Sequence, residues 1–241
     1  MGKIRTLVFD NLTGFFELAK RAQLGDPDAG RETKGDWGLQ WNKLMGQFSD
    51  VVRECYKFSI AGPENIAIIV AHIVPEYLFV GHDEKGNVVK KLLGWKADVP
   101  GSGADEVLVP FQEVYHLMAL PTEAGTVPIR KLMTQKHLYN GFPIKAKSRK
   151  GIKGPIVNPS YDAIIKGLPQ GADHPKQFLI LGEPGVGKST LANMFPGPRH
   201  FIDLWGGCDE QAKAADTTVS TPETLADMYQ TLVKIRKTGE V

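Results

Sequence analysis

The residues that most constrain the fold of this chain lie at 182–189, where the sequence is Gly-Glu-Pro-Gly-Val-Gly-Lys-Ser. They form a complete G-x-x-x-x-G-K-S motif. The apolar run 177–181 before it is typical of a buried strand, and residues 190–195 after it are predicted to be helical. A strand, a glycine-rich turn and a helix in this order indicate an α/β domain, because such a turn lies at the carboxyl end of a strand in a mostly parallel sheet.

Each residue type in the motif suits contact with a polyphosphate. Gly185 and Gly187 allow backbone N–H groups to turn inward around a β-phosphate, Lys188 would reach the β- and γ-phosphates, and the Ser189 hydroxyl would ligate Mg²⁺. A chance glycine-rich turn is the alternative. We expect ATP and Mg²⁺ as cofactors, with a binding set of Gly182, Glu183, Pro184, Gly185, Val186, Gly187, Lys188, Ser189 and Thr190.

Composition places the chain among globular proteins. Of its 241 residues, 42% are hydrophobic and 23% are charged, which excludes collagenous, coiled-coil and wholly disordered classes. The two cysteines, Cys55 and Cys208, are too few for a disulfide framework or a four-thiolate zinc site. The longest apolar stretch, 66–80, is too short to span a bilayer, and no secretory signal follows Met1. We therefore expect a soluble, cytoplasmic protein without a membrane partner.

Strand-like and helical segments alternate along the chain, which predicts a largely parallel sheet with helices on both faces. The helical patterns cover 12–21, 37–56 and 222–237, the last with Thr221 as N-cap. Segments 24–36, 75–105 and 167–176 are predicted to be loops. The predicted strands are 4–9, 66–71, 107–120, 127–133, 143–147, 178–181 and 200–204.

A phosphate loop needs a carboxylate at the end of a neighbouring strand to hold the metal shell. Downstream of the motif the chain offers only the strand that ends at Asp203. The better candidate is Asp10, which closes the apolar strand 4–10 at the opposite end of the chain, although an ordinary strand terminus is an equal alternative. In most phosphate-loop ATPases the strand with this carboxylate follows the loop in the sequence. The chain has this order if its sequence is treated as a ring that begins near Pro169.

In that rotated order the chain resembles the small phage-type, or Sak-type, single-strand DNA recombinases of the RecA superfamily. The resemblance covers nearly the whole chain, as one RecA-like ATPase domain over 1–241. It implies a circular permutation: 1–166 would hold the Walker B and C-terminal strands, 167–176 a linker and 177–241 the Walker A half. The matching segments are GEPGVGKSTLANMFPGP at 182–198, RTLVFDNLTGFFELA at 5–19, DWGLQWNKL at 36–44, IAIIVAHIVPE at 66–76 and KAKSRKG at 145–151.

The resemblance assigns roles at the site. Asp10 would be the Walker B carboxylate that holds Mg²⁺ with Ser189, and His72 would sense the γ-phosphate, unless it is merely a satisfied histidine at a strand end. The glutamate that activates water in RecA-like proteins is missing, because Trp205 stands where it is expected. The substitutes available are Glu210, Asp209 and Asp203.

Two further features concern partners. Residues 129–154 contain eight Lys or Arg and no Asp or Glu, and Lys136, Lys147 and Arg149 are candidates for cations inserted into a neighbouring subunit's site, with an exposed basic surface as the alternative. The resemblance implies that loops 24–36 and 75–105 contact single-stranded DNA, with loop solubility as the alternative explanation of their polar residues. The residues proposed for that contact are Arg31, Lys34, Lys85, Lys90, Lys91 and Lys96 for phosphates and Tyr77, Phe79 and Trp95 for bases.

The resemblance therefore implies an ATP-hydrolysing, RecA-like homo-oligomer, a ring or a filament, that acts with single-stranded DNA in recombination or annealing in a bacterial or phage-infected cell. A single-strand-binding or other replication or recombination protein is an expected partner. Two alternatives stay open. One is a phosphate-loop ATPase of another class, such as a partition or motor enzyme, whose turnover ignores DNA. The other is a non-catalytic, nucleotide-gated assembly protein.

Overall fold

The structure is a computed structural model that describes residues 3–24, 37–83, 85–99, 108–120 and 126–240. The helices are α1 (Leu12–Leu24), α2 (Trp37–Ala61), α3 (Tyr161–Lys166), α4 (Lys188–Ala192), α5 (Asp209–Ala212) and α6 (Leu225–Thr238). The strands are β1 (Thr6–Asp10), β2 (Ile66–His82), β3 (Val88–Ala97), β4 (Glu113–Ala119), β5 (Arg130–Met133), β6 (His137–Tyr139), β7 (Phe142–Ile144), β8 (Lys147–Ser148), β9 (Ile156–Val157), β10 (Gln177–Gly182), β11 (Arg199–Asp203) and β12 (Thr217–Ser220). The predicted α/β class is confirmed.

The centre of the fold is a parallel sheet in the order β12-β11-β1-β2-β10-β4. Beyond β4 the sheet continues with β5, β8 and β9 in antiparallel pairing. Strand β2 continues past its parallel part, and there β3 pairs with it from Ile73 to His82. Strands β7 and β6 follow β3 and complete this extension. The prediction of a mostly parallel sheet therefore holds for the central strands, whereas the peripheral strands are largely antiparallel.

Successive side chains of the central strands point to opposite faces of the sheet, so the hydrophobic core consists of two layers. In β1, Leu7 and Phe9 pack with buried residues of α1, α2 and α6 on one face of the sheet, whereas Val8 packs on the other face with residues of α3 and α4. In β10, Leu179 packs on the same face as Leu7 and Phe9, and Phe178 packs on the same face as Val8. Helices thus cover both faces, as the sequence predicts, and the carboxyl ends of the central strands meet along one edge.

The prediction of a loop over 75–105 is wrong for most of that segment. Strand β2 runs on to His82 and pairs antiparallel with β3, from Ile73 opposite Ala97 to His82 opposite Val88. The Asp83 carboxylate accepts hydrogen bonds from the backbone N–H groups of Lys85 and Asn87 in the connecting turn. Apolar residues near the tip are exposed, so the period-two alternation that identifies a half-buried strand is missing from the sequence.

Several predicted boundaries also shift. Helix α6 is capped by Thr224, whose side chain accepts from the Asp227 N–H, and not by Thr221. The strand predicted over 107–120 is regular only from Glu113, and the helix after the motif begins at Lys188 and is only one turn long. Strands β3, β6, β9 and β12 and helices α3 and α5 were not predicted, because short elements carry little periodicity.

The first and last described elements meet. The Ile4 N–H donates to the Gly239 carbonyl over 2.8 Å, and Gly239 ends α6 in a left-handed conformation at φ 69°. This contact lies before β1, at the amino edge of the sheet. The segment 167–176, predicted as a linker, joins α3 to β10 without regular secondary structure. Among the described helices, none combines the length and the apolar character needed to cross a bilayer.

The packing of α2 makes a testable prediction about stability. Phe48 is 3% exposed and its ring stacks on Phe16 with centroids 5.9 Å apart. We expect Phe48→Ala to lower the free energy of unfolding by about 3–5 kcal/mol, measured by urea denaturation, because it leaves a cavity in the core. Ile60→Ala on the same helix is the control, since Ile60 is 58% exposed. Equal losses in the two variants would contradict the assignment of this face to the core.

Candidate functional site

The G-x-x-x-x-G-K-S loop is carried to the carboxyl edge of the sheet by β10, all of whose residues are buried. Gly182, the last residue of β10, lies opposite His72 of β2 in the parallel register. Gly185 and Gly187 have φ values of 75° and 96°, in the left-handed region that glycine adopts without steric cost. The chain therefore turns tightly between β10 and α4, as the motif predicts.

Lys188 is buried inside the loop. Its ammonium donates to the Gly182 carbonyl over 3.0 Å and to the Glu183 carbonyl over 2.7 Å. Burial lowers the pKa of Lys188 to about 8, against the opposing effect of the Asp10 and Glu183 carboxylates. The cation is thus held beneath the glycine-rich turn, where an anion placed in the loop would meet it.

The structure brings together two predicted residues that are 179 positions apart in the sequence. The Ser189 hydroxyl donates a short hydrogen bond to Asp10 Oδ2. Burial raises the pKa of Asp10, and so does the nearby charge of Asp203, whereas the hydrogen bonds from Ser189 and Cys208 act in the opposite direction. The carboxylate from the end of β1 and the hydroxyl from the start of α4 therefore occupy one site.

This oxygen pair fits the chemistry of Mg²⁺. A carboxylate and a hydroxyl are hard donors, and Mg²⁺ in proteins is usually held by one or two protein oxygens together with substrate phosphates and waters. In the part of the chain that the structure describes, no group of three or more His, Cys, Asp or Glu side chains could hold a metal ion. A magnesium ion bound at this oxygen pair would be held by Asp10 and Ser189, with phosphate oxygens and water completing its shell.

A cavity of about 280 Å³ opens over this site. It lies at the carboxyl edge of β1, β2, β10 and β11, where ligands of open parallel sheets bind. The residues around it come from both ends of the chain, and they include Asp10, His72, Lys188, Ser189, Trp205 and Gln211.

His72 lines this cavity, where the sequence predicts it. Its backbone carbonyl accepts from the Asp98 N–H over 2.8 Å, which anchors the end of the parallel part of β2. Burial and the charge of Lys188 lower the pKa of His72, with Asp98 acting in the opposite direction. The imidazole is therefore neutral at pH 7, and one of its ring nitrogens can donate a hydrogen bond to a ligand oxygen.

The residues predicted to replace the missing glutamate are placed differently. Glu210 is exposed on α5, does not line the cavity and pairs with Lys213 over 2.6 Å. Asp209 is exposed as well. Asp203 lines the cavity, but its carboxylate accepts the backbone N–H groups of Trp205, Gly206 and Cys208. The expectation that Glu210 faces the reacting centre is therefore corrected: α5 turns this side chain to solvent.

Sequence reasoning missed Gln211, the residue of α5 that does face the cavity. Its side chain is 7% exposed, and its Oε1 has no hydrogen-bond partner among the described residues. The signal in the sequence is weak, because a helix of four residues has no periodicity and the preceding Asp209 and Glu210 suggest a solvated segment.

The three predicted inter-subunit cations lie away from the cavity of their own chain. Lys147 donates to the Leu108 carbonyl over 2.5 Å, and Arg149 donates to the Val109 carbonyl over 2.8 Å. Strand β8, which carries Lys147, pairs with the amino-terminal part of β4, opposite the edge that bears the loop. Lys136 is exposed between β5 and β6. Their action on a neighbouring subunit stays a prediction.

The predicted DNA-contacting residues divide into three groups. Tyr77 and Phe79 are exposed on the hairpin, together with Lys85, Lys90 and Lys91. Trp95 packs at its base, where the indole N–H donates to the Tyr139 carbonyl over 3.0 Å, and Lys96 is half-buried. Arg31 and Lys34 lie outside the described residues. The structure thus supplies an aromatic and basic hairpin in place of the predicted loop.

Comparison of the chain with models of protein families, with curated proteins and with solved structures finds no match in any of the three. The resemblance to RecA-like recombinases therefore stays a prediction from the sequence.

The lowered pKa of Lys188 predicts that binding of an anion in the loop would depend on pH. The charged ammonium predominates below pH 8 and is lost as the pH rises through about 8, so binding of inorganic tripolyphosphate should weaken above that value. Between about pH 7 and about pH 9.5 we expect a loss of about 10–30-fold in affinity, measured by calorimetry. Lys188→Ala should bind weakly without this dependence. A wild-type affinity that is flat over this range would contradict the placement of the lysine.

Proposed function

We propose that the protein is a circularly permuted, RecA-like phosphate-loop ATPase that acts with single-stranded DNA in recombination or annealing. The observation that carries the proposal is the hydrogen bond between Ser189 and Asp10. Residues from opposite ends of the chain supply the hydroxyl and the carboxylate that a nucleotide-bound magnesium ion requires. The cavity above them also holds Lys188 and His72, the two groups expected to contact phosphates.

The strand connections support the permutation. Starting at β10, the chain passes through β11 and β12 and, across the contact between Ile4 and Gly239, into β1, β2 and β4. These six strands form the parallel core. The contact lies at the amino edge of the sheet, whereas the cavity lies at the carboxyl edge. New termini at exposed connections far from a site are well tolerated, so the permuted order is compatible with an intact site.

The surroundings of the loop also suit a whole nucleotide. A second cavity, of about 310 Å³, lies beside the loop and shares Gly187 and Thr190 with the first. Val127, Ile129 and Met194 give it an apolar wall that suits a nucleobase. In the proposed complex the triphosphate follows the loop towards Ser189 and the nucleoside occupies this second cavity.

Each group then has a defined task in ATP hydrolysis. Lys188 binds the β- and γ-phosphates, and the neutral His72 donates a hydrogen bond to a γ-phosphate oxygen. Asp10 and Ser189 would hold Mg²⁺, and the ion would supply positive charge to the phosphate oxygens. Lys136 is exposed and could reach a neighbouring copy in a ring or filament, whereas Lys147 and Arg149 would first have to release the carbonyls of Leu108 and Val109.

The β2–β3 hairpin is the proposed contact for single-stranded DNA. Phe79 lies opposite Lys90 and Leu78 lies opposite Lys91, so apolar and basic side chains adjoin along the exposed strands. Aromatic rings can stack on bases while ammonium groups contact phosphates, and this combination binds single strands without sequence preference. The hairpin leaves the core through β2, the strand that carries His72, which provides a direct connection to the cavity.

One observation favours a second candidate function. Trp205 is 60% exposed at the rim of the cavity and cannot accept a proton. A protein that binds ATP to control its own assembly, without hydrolysis, would need no base at this position. A phosphate-loop ATPase of another class, indifferent to DNA, is the remaining alternative.

Nucleotide binding and turnover test the proposal separately. Lys188→Ala should weaken ATP binding by at least about 10²-fold, because it removes a buried cation from the phosphates. Asp10→Asn should bind ATP but lose the gain in affinity on addition of Mg²⁺, and it should lose turnover. Asp173→Asn, an exposed carboxylate in segment 167–176, is the matched control. If Lys188→Ala binds ATP as the wild type does, the phosphate assignment is wrong; if Asp10→Asn keeps its response to Mg²⁺, the metal assignment is wrong.

Salt dependence tests the DNA contact. Each lysine–phosphate contact contributes about 0.7 to the slope of log K against log salt for single strands, so the double variant Lys90→Ala, Lys91→Ala should reduce that slope by about 1.4. The measurement is fluorescence anisotropy with a labelled oligonucleotide. The control is Lys234→Ala, Lys237→Ala, which removes two exposed lysines from α6. If the two double variants have equal slopes, single-stranded DNA does not contact Lys90 and Lys91, and the proposal for the β2–β3 hairpin is wrong.

A further inference from the structure

Gln211 is the most unusual polar group of the cavity. Its side chain is more than nine-tenths buried, yet within the described ranges Oε1 has no hydrogen-bond partner. The residue lines the same cavity as Asp10, Lys188 and Ser189. A buried amide oxygen without a partner costs free energy, so its retention in a cavity indicates a partner that arrives with a ligand or with water.

The backbone holds Gln211 in a fixed relation to the proposed metal site. The Leu204 N–H donates to the Asp10 carbonyl over 2.7 Å, and the Asp203 carboxylate fixes the following turn through three backbone N–H groups. Helix α5 follows directly, with the Ala212 N–H donating to the Cys208 carbonyl over 3.0 Å. The backbone that carries Gln211 is therefore fixed relative to Asp10, which limits where the amide can reach in the cavity.

The other candidates for contact with an attacking water are less well placed. Asp203 is occupied by the backbone, and Glu210 points to solvent, where it pairs with Lys213. The indole of Trp205 accepts no proton. Gln211 therefore remains as the residue beyond the strand end at Asp203 that combines burial, a free acceptor and a place on the cavity wall.

We infer that Gln211 is the water-positioning residue of the site and replaces a general base. The inference rests on the proposed ATP hydrolysis. The Oε1 atom accepts a hydrogen bond from the attacking water. This contact directs a lone pair of the water oxygen at the γ-phosphorus. The water oxygen forms the new P–O bond, and the bond to the β,γ-bridging oxygen breaks, with its electron pair leaving on ADP. Because an amide takes up no proton, one water proton passes to a γ-phosphoryl oxygen, which gives dihydrogen phosphate.

Single-turnover kinetics of three variants test this role, with the protein in excess over ATP and above its Kd, in the presence of Mg²⁺ and a single-stranded oligonucleotide. Gln211→Met removes the amide at similar volume and should slow turnover by about 10²-fold, with the Kd for ATP unchanged. Gln211→Glu supplies a carboxylate and should restore turnover, now with a rate that rises with pH as the carboxyl ionises. Gln230→Met on α6, an exposed glutamine, is the control and should behave as the wild type does.

The outcomes separate this inference from the function on which it rests. A wild-type protein that binds ATP without hydrolysing it would overturn the proposed ATPase and the role of Gln211 with it. Wild-type turnover that Gln211→Met matches would overturn the role of Gln211 alone. Loss of turnover in Glu210→Gln, with Gln211→Met active, would assign the task to Glu210 through a rearrangement of α5. If Gln211 has only a structural role, Gln211→Met will be less thermally stable than the wild type, and turnover in Gln211→Glu will not recover as the pH rises.

Discussion

The insertion of β10 between β2 and β4 is the constraint on which the rest of the structure depends. The strand enters the middle of the sheet between two strands from the first half of the chain, and all of its residues are buried. Its register with β2 places Gly182 beside His72, and its exit leads directly to Lys188 and Ser189. A shift of one residue would exchange the two faces of β10 and move the glycine-rich turn away from Asp10.

Burial then sets the electrostatics of the cavity. Desolvation lowers the pKa of Lys188 and raises that of Asp10, so both groups are biased towards their neutral forms. Neither has a full counter-charge: the ammonium donates to carbonyls and the carboxylate accepts from a hydroxyl and a thiol. A polyphosphate and a divalent cation would supply the missing charges in one step. In the proposed complex, ligands of opposite charge would therefore bind together.

The sequence predicts the parts of the fold that local physics determines. The glycine-rich turn is recognisable from its motif, and the buried strand before it from an apolar run. Asp10 is predicted as a site residue because it ends another apolar run. The β2–β3 hairpin could not be predicted in this way, because its exposed apolar residues remove the alternation of a half-buried strand. Gln211 was missed because its orientation depends on the turn fixed by Asp203, a tertiary effect.

The bond between Ile4 and Gly239 has a practical consequence for work on this molecule. Tethers or fluorophores attached at the exposed neighbours of these two residues, Lys3 and Glu240, would emerge from one spot on the amino edge of the sheet. An anchored molecule would keep its opposite edge, with the cavity, turned towards the solution. Immobilisation by either route would therefore give surface-based measurements in the same orientation.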